Sequence, residues 1–127
     1  MAEAIMSKTF SKLTVALATC AALAAAPAWA ADFPAGVYAT KGATMSFGHG
    51  HFRVTQHDAT KVEGAYKVDG DRIQFTDASG PWACTKRAER TGSYQWKADD
   101  GGLAFTTVSD ACKDRAGSLT RLAWKKK

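Results

Sequence analysis

Two stretches of this chain repeat one another, and each ends in a cysteine. Gly64-Ala65-Tyr66 matches Gly92-Ser93-Tyr94, Ile73-Gln74-Phe75-Thr76 matches Leu103-Ala104-Phe105-Thr106, and an Ala-Cys pair follows each copy, at Ala83-Cys84 and Ala111-Cys112. Within each copy apolar and polar residues alternate, the period of a strand with one buried face. In the first, Val62, Gly64, Tyr66 and Val68 share a face and Ile73 and Phe75 continue it after an Asp69-Gly70 turn. In the second, Tyr94 and Trp96 lead through Asp99-Asp100-Gly101-Gly102, expected as a longer turn, to Leu103 and Phe105. A chain that repeats hairpins and lacks helical periodicity after residue 31 can only build its core from sheet.

Strands are expected near 36–40, 43–48, 51–57, 60–68, 71–77, 91–98, 102–108 and 117–124. Eight short strands with local connections form a meander, and closing it removes exposed edges. The expected fold is therefore all-β: a small up-and-down antiparallel eight-stranded barrel with one disulfide. Its inward set is Tyr38 or Val37 with Met45, Phe47, Phe52, Val54, Tyr66, Val68, Ile73, Phe75, Tyr94, Trp96, Leu103, Phe105, Leu122 and Trp124. Eight strands enclose only enough space for side chains or one small ligand, and this aromatic set suits a packed core.

On these residues the chain resembles the calycin-like small barrels, the lipocalin, avidin and related bacterial inhibitor group. Gly36-Val37-Tyr38 stands where lipocalins carry Gly-x-Trp, and the apolar final strand carries Arg121 and Trp124. The resemblance implies a closed barrel that binds or inhibits; no family binding residue maps onto this sequence.

The first 30 residues have the parts of an export signal. Lys8 and Lys12 precede an uncharged run over 13–26, and Ala28-Trp29-Ala30 offers a cleavage site before Ala31. At about 14 residues the run is shorter than the roughly 20 of a membrane span. Leu17-Ala18-Thr19-Cys20 loosely resembles a lipid-attachment site, but Thr before the Cys is atypical. Expected, then, are a signal peptide over 1–30, a single barrel domain over 31–127, no transmembrane anchor, and a periplasmic or secreted monomer. With Cys20 removed, Cys84 and Cys112 form an even pair in an oxidising compartment and are expected to bond. Closing a loop of about 29 residues contributes about 3.6 kcal/mol in the chain-entropy account.

Charge narrows the partners. Losing the signal takes the net charge from +5 to about +4, and Lys125, Lys126 and Lys127, expected as a basic C-terminal tail, account for most of it. Nucleic acid, which selects a dense basic face, is not expected. Catalysis is not expected either. His49, His51 and His57 lack orienting partners, which makes a solvated turn and strand the simpler reading; no metal, cofactor or catalytic residue is assigned. Most acids, Asp77 among them, read as turn residues.

The unusual stretch is Ser79-Gly80-Pro81-Trp82-Ala83-Cys84, followed by Lys86, Arg87 and Arg90. Trp82 is either a plug over one barrel end or an exposed anchor, and burial statistics favour the plug. Arg115, in an expected helical turn beside Cys112, is placed to pair with Asp77 or Asp110 or to join Lys86 and Arg87 in a polar surface. The candidate binding residues are Trp82, Lys86, Arg87 and Arg115. The expected function is a non-enzymatic envelope protein that binds a protein partner or a small apolar molecule. The alternatives are an inhibitor of an extracytoplasmic hydrolase, such as a protease or lysozyme, and a purely structural envelope protein.

Overall fold

The computed structural model describes residues 32–127, so the expected signal, its cleavage site and Cys20 lie outside the described residues. Eight antiparallel strands close into a barrel in chain order: β1 Gly36–Thr40, β2 Ala43–Gly48, β3 His51–Gln56, β4 Ala59–Asp69, β5 Arg72–Ser79, β6 Thr91–Asp99, β7 Gly102–Ser109 and β8 Trp124–Lys126. Each strand pairs with its sequence neighbour, and β8 closes the circle on β1 through Tyr38↔Lys126 and Ala39↔Lys125. The turns explain why the meander forms. His49 and Gly50, His57 and Asp58, and Asp100 and Gly101 all take positive φ as consecutive pairs, the backbone that matches the twist of tight hairpins. The second repeat thus turns on two residues, since Asp99 pairs with Gly102.

The eighth strand differs from expectation. Residues expected to extend over 117–124 instead form a helix, α1, Lys113–Arg121, and β8 begins only at Trp124. Two faces compete here, and the helical one wins because Leu119, four residues after Arg115, enters the core while Leu122 remains 39% exposed. Asp114 in the first turn and Arg121 in the last suit the helix dipole. Because β8 pairs with β7 only at Gly102 and Leu103, α1 packs along the rest of β7. Lys125 and Lys126, expected in a free tail, belong to the closing strand. Among the described residues no helix is long and apolar enough to cross a membrane.

Thirteen apolar residues form one buried cluster. Phe75 lies at its centre, with ring centroids 5.2 Å from Phe52, 5.8 Å from both Tyr94 and Phe105, and 6.1 Å from Phe47. These rings occupy the barrel axis, so the interior is side chain rather than ligand space. Of the expected inward set, Tyr38 is inward in preference to Val37, Val54 and Tyr66 are half-buried, and Val68, at the rim of β4, is 37% exposed.

One end of the barrel is closed by a residue outside the sheet. Phe33 packs at 5.0 Å from Phe47, 5.2 Å from Trp96 and 5.7 Å from Tyr66. The Tyr38 hydroxyl donates to the Pro34 carbonyl at 2.6 Å and Lys126 Nζ donates to the Ala35 carbonyl at 3.3 Å, fixing the segment across the opening. Phe33→Ala should cost about 2–4 kcal/mol in chemical denaturation, a little below a fully buried Phe; a midpoint equal to that of the unaltered protein would show that the end stays closed without it.

Candidate functional site

The connection from β5 to β6 and the connection from β7 to α1 meet at the barrel end opposite Phe33. Cys84 and Cys112 sit at disulfide distance there, with Cα atoms 6.3 Å apart. Beneath them lies a buried charged cluster. Asp77, expected in a turn, is on β5 and only 3% exposed, and the Asp110 side chain is fully buried. Each carboxylate accepts the backbone N–H of one cysteine, Cys84 to Asp77 at 2.8 Å and Cys112 to Asp110 at 2.9 Å. In both copies of the repeat the cysteine amide thus ends on a carboxylate, seven residues back in the first and two in the second.

Arg115 joins them. Its Nε and Nη2 each donate to Asp110 at 2.7 Å, and Nη1 lies 3.1 Å from Asp77. Nη1 also donates to the Arg90 carbonyl at 3.0 Å and Nη2 to that of Glu89 at 2.7 Å. Four guanidinium hydrogen bonds and the ion pair with Asp77 thus compensate a charge with only 8% side-chain exposure. Helix α1 supplies Arg115, while the short 3-10 turn Arg87–Glu89 supplies one of the carbonyls. The Tyr94 hydroxyl donates to Asp110 from inside the barrel. Gly92 makes room for this: a Cβ there would overlap the Asp110 carboxylate.

These contacts set the ionisation of the cluster. Burial alone would raise Asp110, but hydrogen bonds from Arg115, Tyr94 and the Cys112 amide, with the Arg115 charge, hold it below the usual carboxylate range. Burial and then the Asp110 hydrogen bond push the Tyr94 phenol far above its ordinary value. Burial would lower Arg115, yet its bonds to Asp110 and the charges of Asp77 and Asp110 raise it.

The cluster bonds to the connection at Cys84, Glu89 and Arg90, and the same connection carries Trp82. The Trp82 amide donates to the Lys61 carbonyl on β4 at 2.8 Å, and the Ala83 amide donates to that of Gly80 at 3.0 Å. Gly80, at φ +116°, lies so close to Lys61 that a Cβ would overlap its carbonyl. Despite this, the Trp82 residue is 48% exposed, with Lys61 Nζ 5.8 Å from its ring centroid. Trp82 is therefore not the plug that burial statistics favour; at the opposite end Phe33 fills that role.

Of the four candidate residues, Trp82, Lys86 and Arg87 lie on the surface of one connection, whereas Arg115 is turned inward and takes no part in a polar surface with them. Both carboxylates expected as its alternatives, Asp77 and Asp110, bind it at once. Lys61 escaped the sequence reading because only strand register brings β4 beneath Trp82. His49 and His57 occupy turn positions at opposite barrel ends, and no group of three or more His, Cys, Asp or Glu among the described residues is placed to hold a metal. Compared with family models, curated proteins and solved structures, the chain shows no match to any of the three.

Removing the guanidinium should be severe. Arg115→Met leaves two buried carboxylates without their cation and should cost about 3–5 kcal/mol at neutral pH. Because Asp110 titrates lower in the folded state than in the unfolded chain, its contribution is complete above the unfolded pKa of about 4 and is lost as pH falls through the folded value. Denaturation midpoints should therefore decline below about pH 4, and Asp110→Asn should flatten that decline. A midpoint for Arg115→Met equal to the unaltered protein at neutral pH would refute the role given to the cluster.

Proposed function

We propose that this is an exported, non-enzymatic binding protein of the cell envelope that engages a large partner through the face around Trp82. The observation that carries the reading is the exposure of Trp82, 48%, on a backbone fixed at Lys61, Gly80 and Cys84. A folded chain gains little from holding a large aromatic half in water, and a rigid exposed Trp loses little freedom on binding. Ring packing along the barrel axis favours a surface partner over a small apolar ligand inside. The cysteine pair is compatible with an extracytoplasmic location.

Substitution separates contact from folding. Trp82→Ala should cost less than about 1.5 kcal/mol of stability, while Trp96→Ala, which removes a buried ring, should cost about 3–5 kcal/mol. In affinity capture from envelope extracts the same Trp82→Ala should weaken retention of the partner by more than about 2 kcal/mol. Equal losses of stability at the two positions would return Trp82 to the core and remove this face as the working surface.

A further inference from the structure

Resting on Trp82 as a contact residue, we propose that the partner of this face is an anionic lipid surface, with Trp82 at headgroup depth and Lys61, Lys86, Arg87 and Arg90 against the headgroups. The charge is local and makes no ion pair among the described residues. The connection over 80–90 carries Lys86, Arg87 and Arg90 against one acid, Glu89, and the ion pairs among the described residues involve none of these three nor Lys61. Asp77 and Asp110, beneath this connection, are buried and held by Arg115, so they do not offset the cations at the surface.

Shape favours a membrane over an acidic protein. Two clefts among the described residues, of about 750 and 330 Å³, are lined by side chains other than Trp82 and its surrounding cations. The face presents an exposed ring among long cationic side chains, and neither of these clefts is part of it. A fluid headgroup layer conforms to such a face and needs no matching shape. Indole is suited to that depth because it pairs an apolar ring with an N–H donor, and each nearby Lys or Arg adds attraction to acidic headgroups. Lys61, over the Trp82 ring, brings a cation to the depth the ring would reach.

The test is sedimentation of the purified protein with vesicles of phosphatidylcholine alone or mixed with phosphatidylglycerol, with fluorescence and acrylamide quenching read in parallel. The expected result is partitioning onto the mixed vesicles only, reversed by salt, with Trp82 emission shifting to shorter wavelength. Lys86→Gln with Arg87→Gln should weaken partitioning about fivefold per charge, and Trp82→Phe should abolish the emission shift while the protein stays folded. No partitioning on mixed vesicles, or equal partitioning by the charge variants, overturns the lipid assignment. If an acidic protein is captured through Trp82 under those conditions, the lipid assignment fails and the contact face stands. Should Trp82 resist quenching as Trp96 does, both readings fail together.

Discussion

Arg115 is the point on which the barrel end opposite Phe33 depends. Its guanidinium ties strand β5 through Asp77, the β7-to-α1 connection through Asp110, and the β5-to-β6 connection through the carbonyls of Glu89 and Arg90. A buried ion pair seldom adds net stability over a well-packed apolar alternative, because desolvation offsets attraction. What it supplies here is geometry: a fixed fork makes four hydrogen bonds and one ion pair across three segments. The cysteine pair crosses the same junction, and each cysteine amide leans on one of the carboxylates that Arg115 neutralises.

This arrangement divides the barrel by end. At one end Phe33 closes the interior by packing on Phe47, Tyr66 and Trp96, a purely apolar solution. At the other, β8 is too short to complete the wall, and α1 packs along β7 while Leu119 fills the core beneath it. The helix does two things there. Leu119 buries apolar surface, and Arg115, one turn earlier, reaches the carboxylates. With closure achieved by these groups, Trp82 is not needed as a lid, which is why so large a side chain can remain half in water.

The barrel and its closure order were legible because alternation and paired turn residues are local signals. The repeat even located the two cysteines, whereas Asp77 read as a turn residue and proved to be buried on β5. The C-terminal segment misled because Leu122 and Trp124 stand at strand spacing while Leu119 stands at helical spacing from Arg115. So short a segment cannot decide between those periods; in the helix Leu119 enters the core and Arg115 reaches Asp110 together. Phe33 was missed because a single aromatic before the first strand has no periodicity to reveal it. The environment of Trp82 was similarly hidden, since its anchor on Lys61 is set by strand register rather than by spacing along the chain.

The central claim is that the Trp82 connection is held as firmly as the barrel while its side chain stays exposed. Native-state hydrogen exchange at the Trp82 and Cys84 amides measures this directly, because their acceptors are the Lys61 carbonyl and Asp77. Protection within about tenfold of core amides such as Tyr94 is the predicted result, reflecting opening only with the cooperative unit around Arg115. Exchange at the rate of an unstructured loop would contradict it.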